Sequence, residues 1–275
     1  MSWWQALLLG LVQGLTEFLP VSSSGHLRLV QELTGTNVEA DAFLGFTVLV
    51  HVATVCSTLL VFWAAIWKLL KGLFQFRYND ETDYICKLLV SAIPVAIVGF
   101  LFKDYVESLF GNSLWVVGAF LLVTALLLVF SDIASGKKGW VKPNKHRNGI
   151  SYGQALIVGV GQSFAVAPGL SRSGTTIATG LMTGVKREAM AQFSFLMVLI
   201  PIVGEQLLEV YKSISHGTPL FDPAVGSVAL IIGFLAAFIS GLFACKVMIA
   251  LVKKAKLSWF ALYCVLVAIV IFVLA

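Results

Sequence analysis

Residues 3–33 read WWQALLLGLVQGLTEFLPVSSSGHLRLVQEL, and residues 152–184 read YGQALIVGVGQSFAVAPGLSRSGTTIATGLMTG. Each is an apolar run cut near its middle by a proline and a polar turn: Pro20 with Ser22-Ser23-Ser24-Gly25, then Pro168-Gly169 with Ser171-Arg172-Ser173-Gly174. A bilayer-spanning helix needs about 20 apolar residues, more than either half of either segment offers. The pattern predicts helix, tight turn, helix. Inside a bilayer such a turn is tolerated only where protein or a water-filled cavity covers its backbone. Both segments are therefore expected to be re-entrant hairpins, over 3–34 and 150–184.

The two segments repeat one another. At a shift of 149 residues, Gln5, Ala6, Leu7, Gly10 and Gln13 fall on Gln154, Ala155, Leu156, Gly159 and Gln162. Ser22, Ser24 and Gly25 fall on Ser171, Ser173 and Gly174, and Glu39, Ala40 and Phe46 on Glu188, Ala189 and Phe195. Two halves follow, 1–148 and 149–275, each a hairpin and then three spans within one membrane domain. Three is odd, so the second half starts from the opposite side, which makes an inverted-topology repeat.

Composition agrees with a membrane setting. Of 275 residues, 59% are hydrophobic and 12% charged, with a mean hydropathy of +0.93. Soluble domains carry about 25% charged residues, so disorder, a coiled coil, a disulfide scaffold and a DNA-binding domain are excluded. Six stretches qualify as spans: Ala40–Trp67, Ile85–Phe102, Leu114–Phe130, Met190–Val210, Val225–Val252 and Trp259–Ala275. The fold class expected is an all-α integral membrane protein with six transmembrane helices plus two re-entrant hairpins. Cys56, Cys86, Cys245 and Cys264 lack metal-ligand spacing and read as apolar fillers. The N-terminus has no basic leader or small-residue cleavage site and is expected to be retained.

The net charge of +5 does not form a nucleic-acid patch, and no nucleic-acid partner is expected. Basic residues cluster between apolar runs: Lys68, Lys71, Arg77 and Lys87; Lys137, Lys138, Lys142, Lys145 and Arg147; Lys186 and Arg187; Lys253, Lys254 and Lys256. A six-span path puts every group on one side, which the positive-inside rule makes cytoplasmic.

Inverted hairpins bring two helix N-termini together, and unpaired N–H groups with the positive dipole end favour a phosphate there. Ser22, Ser23 and Ser24 add hydroxyls and Gly25 close backbone approach. Ser171, Ser173, Gly174, Thr175 and Thr176 do the same on the other side, and Arg172 adds a fork of donors. The plain alternative is two ordinary helix caps, with Arg172 paired structurally to Glu17. Gln13 and Glu17 lie four apart on one helical face. A carboxylate at this depth costs about 2.5–3.5 kcal/mol on insertion scales and implies a partner or a function. It would hold a divalent cation with Gln13, or orient Arg172 or His26. His26 beside a hydroxyl run suits general acid–base work.

Other polar residues carry weaker signals. His51 reads as an interhelical hydrogen bond, Glu39 and Asp41 as interfacial, Glu205 and Glu209 as cavity-lining or near the outer end, and Arg28 as a phosphate or headgroup contact. The Gly10/Gly14 and Gly180/Gly184 spacings match close helix packing, with a homodimer face as the alternative use.

QGLTEFLPVSSSGH, Gln13 to His26, resembles the signature of the bacterial undecaprenyl-diphosphate phosphatases, also called bacitracin-resistance proteins. PGLSRSG, Pro168 to Gly174, resembles their second signature, and SAIPVAIVG around Pro94 and REAMAQFSFLMVLIP from Arg187 to Pro201 match in order. The resemblance implies a multi-pass inner-membrane hydrolase. It would convert undecaprenyl diphosphate to undecaprenyl phosphate and inorganic phosphate on the outer side, recycling the lipid carrier of peptidoglycan synthesis. Its partners would be that polyprenyl diphosphate and membrane lipids. It further implies Mg²⁺ or Ca²⁺ as cofactor, Gln13 and Glu17 as the acidic motif, Ser22, Ser23 and Ser24 as the hydroxyl turn, His26, and Arg172 between Ser171 and Ser173. Many members carry Glu where this chain has Gln13, and often an acidic residue where it has Thr47.

The expected chemistry is phosphoryl transfer at the hairpin junction, with Ser23 attacking in line, His26 near Glu17 managing protons, and Arg172 and the cation neutralising charge. Attack by His26, or by water without a covalent intermediate, remains open from sequence. A transporter or flippase for an anionic lipid phosphate is the alternative of another class, because inverted repeats and midplane breaks are transporter traits too.

Overall fold

The computed structural model describes residues 1–36, 40–102, 113–136, 139–143, 145–216 and 225–275; of 40, 41, 205, 209, 212–214, 216, 253 and 254 only the backbone is described. The readings of Glu39, Asp41, Glu205, Glu209, Lys137, Lys138, Lys253 and Lys254 lie outside the described residues. The described chain is helical: α1 (Trp3–Phe18), α2 (Ser23–Leu33), α3 (Ala40–Val61), α4 (Trp63–Leu73), α5 (Asp80–Leu101), α6 (Leu114–Ser135), a 3₁₀ turn (Arg147–Gly149), α7 (Tyr152–Phe164), α8 (Arg172–Met182), α9 (Arg187–Met197), α10 (Leu199–His216), α11 (Ser227–Lys254) and α12 (Ser258–Leu274).

Among the described residues five segments are long and apolar enough to cross a membrane: Ala42–Val61, Asp80–Leu101, Leu114–Ser135, Arg187–Leu208 and Ser227–Val252. The expected last span, α12, is apolar but 17 residues long, or about 26 Å at 1.5 Å per residue, against about 30 Å of hydrocarbon. Ala40–Trp67 is not one helix, because it breaks at Phe62 and restarts as α4. α5 begins five residues before the expected Ile85, capped by the Asn79 side chain with Asp80, Glu81 and Asp83 in its first turn.

Both broken segments fold as helix, turn, helix, with the same local chemistry at positions 149 apart. Capping boxes Ser2–Gln5 and Ser151–Gln154 start α1 and α7. Gln5 Nε2 donates to the Thr34 carbonyl at 3.3 Å and Gln154 Nε2 to the Thr183 carbonyl at 2.7 Å, which ties each first helix to the end of its second. The Ser22 hydroxyl accepts from Gly25 N and the Ser171 hydroxyl from Gly174 N, capping α2 and α8. Gly35 and Gly184, just past α2 and α8, both have positive φ.

The first helix of each segment packs on a long helix of the other half, α1 on α11 and α7 on α5. Lipid-embedded helices gain nothing from hydrophobic exclusion between them, so small residues that let backbones touch decide the contact. A Cβ on Gly10 would strike the Gly233 carbonyl, and one on Gly159 the Ser91 carbonyl. Gly14 faces Ala237 and Ser240, and Gly180 faces the Met190 side chain. Gly10, Gly14 and Gly180 thus serve packing within the chain.

The four basic segments meet at one end of the bundle, where a Cβ on Gly149 would touch Ala189 and one on Gly184 the Lys142 carbonyl. Lys87 pairs with Asp83 at 2.6 Å and donates to the Arg147 carbonyl at 3.1 Å, and Arg147 pairs with Asp80. Asp132 accepts from Arg187 at 2.5 Å and from the N–H and hydroxyl of Ser258 at 2.8 Å, while Arg187 reaches the Ala255 carbonyl.

Candidate active site

The polar turns of the two broken segments touch. The Ser173 hydroxyl donates to the Leu19 carbonyl at 2.9 Å. A Cβ on Gly25 would stand 3.7 Å from Gly169 Cα. Thr124 Oγ1 accepts from the Ser171 N–H at 3.0 Å. Thr124 lies halfway along α6 and His51 halfway along α3, so the junction sits at mid-depth, about 15 Å from either end of those helices.

Glu17, in the last turn of α1, is the centre of the junction, with its side chain 8% exposed. Oε1 pairs with the Arg172 guanidinium at the start of α8. Oε2 accepts from Ser23 Oγ at 2.7 Å and Gln13 Nε2 at 2.9 Å, and lies 3.6 Å from His51 Nε2. Four elements thus converge on one carboxylate. Such a group needs partners of this kind at membrane depth. The Ser23–Glu17 bond places a proton acceptor directly on a hydroxyl, the relation that activates a serine nucleophile.

His26, at the same turn, has its own partners. Its Nδ1 is 2.7 Å from the Ser22 carbonyl and its Nε2 is 2.8 Å from the hydroxyl of Tyr263 on α12. The expected neighbourhood of His26 and Glu17 is thus no direct hydrogen bond: Glu17 takes Arg172, Ser23, Gln13 and His51, and His26, one helical turn after Ser23, takes Ser22 and Tyr263. Ser22 holds this turn at φ +68°, a strained value for a residue with a Cβ.

A cavity of about 20 Å³, the room one water needs, adjoins Glu17 and Arg172. Ser173 and Ser194 line it together with Thr54 and Thr58, and beyond them come Val55, Phe195, Val198 and Ile202. Polar groups and an apolar wall thus share one slot.

The other expected phosphate ligands divide. Ser24 is exposed beside the junction. Ser171, Thr175 and Gly174 are engaged in the cap of α8, where Thr175 Oγ1 donates to the Ser171 carbonyl at 2.8 Å. Thr176 Oγ1 shares a 2.7 Å bond with Ser194. Arg28 Nη1 donates to Gln31 Oε1 at 2.8 Å, and Thr47 returns its hydroxyl to the Phe43 carbonyl. Two partners of these residues are faint in the sequence: His51 reads there as an interhelical hydrogen bond alone, and Tyr263 shows no signal beyond a hydroxyl in an otherwise apolar stretch.

Among the described residues no group of three or more His, Cys, Asp or Glu side chains could hold a metal. Gln13 Oε1 is buried and has no hydrogen-bond partner, and the same side chain touches Glu17. One orphaned amide oxygen beside a carboxylate fits a hard cation whose remaining ligands are phosphate oxygens and water.

A protein-family model for the bacitracin resistance protein BacA matches residues 6–270. The undecaprenyl-diphosphatase of Bacteroides thetaiotaomicron is 50% identical over 273 residues, covering 99% of both chains. The proteins of that name from Parabacteroides distasonis and Thermosipho africanus are 52% identical over 270 residues and 40% over 268. The former alignment covers 98% of this chain and 97% of the relative, the latter 97% and 98%. With the match running through both broken segments and every long helix, the chain belongs to the bacitracin resistance protein BacA family.

Proposed function

We propose that this chain is a phosphatase of the bacterial cytoplasmic membrane that hydrolyses undecaprenyl diphosphate to undecaprenyl phosphate and inorganic phosphate. The observation that carries the reading is Ser23 Oγ hydrogen-bonded to Glu17, whose other oxygen holds Arg172. The diphosphate sits where the turns meet, with its isoprenyl chain along the apolar wall of the slot. Ser23 Oγ attacks the terminal phosphorus as its proton passes to Glu17. The bond from that phosphorus to the bridging oxygen breaks, undecaprenyl phosphate leaves, and a phosphoserine remains. Water then attacks the phosphoserine and gives a proton to His26 Nε2, the Tyr263 hydroxyl turning to accept from the new Nε2–H, while Glu17 returns its proton to Ser23 Oγ as the bond from phosphorus to that oxygen breaks, which releases inorganic phosphate and Ser23. Arg172 neutralises charge on the phosphoryl oxygens.

Gln13 and Glu17 would hold Mg²⁺ or Ca²⁺, which supplies further charge neutralisation when bound. The architecture proposed is six spans and two re-entrant hairpins in an inverted repeat, 1–148 and 149–275. The matched capping contacts and the reciprocal packing of α1 on α11 and α7 on α5 support it. The basic segments that meet at one end support a cytoplasmic end, with the site opening outward.

The test is phosphate release from undecaprenyl diphosphate in detergent. Wild type is expected to release phosphate, and folded Ser23→Ala and Arg172→Ala about 100-fold less or lower. Absence of release by folded wild type with Mg²⁺ or Ca²⁺ would favour the lipid-transport reading, because transport has no meaning in detergent.

A further inference from the structure

We propose that Tyr263 is a positioning residue for His26, keeping Nε2 hydrogen-bonded in both protonation states through which a proton-transferring imidazole must pass. The inference rests on the reading above that His26 moves a proton.

The Ser22 carbonyl has no proton to give, so the 2.7 Å contact places a hydrogen on His26 Nδ1. That same carbonyl also accepts the His26 backbone N–H at 3.2 Å, which fixes it firmly against the ring. Nε2 is then the nitrogen that gains and loses the proton. Its partner at 2.8 Å is a phenol, and a hydroxyl both donates and accepts. It donates to Nε2 of the neutral ring and accepts from Nε2–H of the imidazolium. A carboxylate would suit the second state alone, and an ammonium the first alone. With Tyr263, protonation reverses the direction of the bond without losing it.

The arrangement is built. His26 is 7% exposed, where an unpaired ring nitrogen is costly. The two rings are parallel within 2°, with centroids 5.5 Å apart. The residues lie 237 apart in sequence, so helix α12 carries the hydroxyl to the first turn of α2. The Tyr263 residue is itself 43% exposed, so the bond runs from a buried imidazole to the edge of the bundle.

Tyr263→Phe keeps the ring stack and removes the hydroxyl. The experiment uses the full chain in detergent with ¹⁵N-labelled histidine. The chain holds four histidines, and subtraction of the His26→Gln spectrum identifies the His26 signals. The His26 Nε2 resonance is expected to move in Tyr263→Phe while Nδ1 keeps its hydrogen. The kcat for phosphate release should fall about 10- to 100-fold, part of what acid–base catalysis contributes, with KM unchanged. An unmoved Nε2 resonance overturns the proposal, whatever the activity. A moved resonance with wild-type kcat overturns it differently: the bond exists, but His26 does not carry the proton. A fall confined to thermal stability, with kcat intact in the folded fraction, assigns Tyr263 a structural role and also overturns it.

Discussion

Arg172, the first residue of α8, pairs with Glu17, in the last turn of α1, so the two broken segments share one buried ion pair. Its partners are unequally covered: Glu17 is 8% exposed and Arg172 28%. The guanidinium is the more open of the two and keeps surface free to meet a phosphate. The pair thus joins the halves and preorganises the cation at the same time.

Removing Arg172 leaves Glu17 Oε1 without its cationic partner. Arg172→Ala is expected to lower stability by about 3–5 kcal/mol, the cost of breaking a buried pair from one side. Arg172→Ala with Glu17→Gln should recover most of that stability and none of the activity. Thermal unfolding in detergent beside phosphate release checks both. Stability losses that simply add in the double variant would contradict the pairing.

Ser22 sets two effects against each other. Its left-handed backbone costs about 1–2 kcal/mol for a residue with a Cβ, while its hydroxyl caps α2. Ser22→Gly relieves the strain and loses only a few tenths of a kcal/mol of capping, so it should raise stability by about 1 kcal/mol. Ser22→Ala keeps the strain and loses the cap, and should lower it by about 1 kcal/mol. The sign of each melting-temperature change decides. Equal losses in both would mean that the cap alone matters.

Gly10 and Gly159 occupy matched contacts with backbone carbonyls of the opposite half. Either position changed to Val forces α1 off α11, or α7 off α5, at a cost of about 1–3 kcal/mol or more. Comparable losses for Gly10→Val and Gly159→Val are expected in detergent unfolding. A mild effect at one and collapse at the other would break the equivalence of the halves.

Gln13→Glu places a second carboxylate where one oxygen lacks a partner. Phosphate release titrated with Ca²⁺ or Mg²⁺ is expected to reach half-maximum at about tenfold lower cation, since carboxylate count tunes affinity for hard cations. Chelator should abolish release in both proteins. An unchanged midpoint would place the cation away from Gln13.

Much of this was legible in the sequence because it depends on local properties. Hydropathy marks lipid-facing helices whatever their neighbours, prolines and serine runs mark helix ends, and the repeat of Gln5 to Gly25 in Gln154 to Gly174 is visible by alignment alone. The residues of the junction were legible too, as polar groups too costly to bury without purpose. What the tertiary structure alone decided is who faces whom. Glu17 chose Arg172, Ser23 and His51 over His26. His26 found Tyr263, and the glycine pairs packed inside the chain. These contacts join residues 155 and 237 apart. They depend on the rotation and depth of each helix, which are fixed when whole surfaces interlock and leave no trace in the spacing along any one of them.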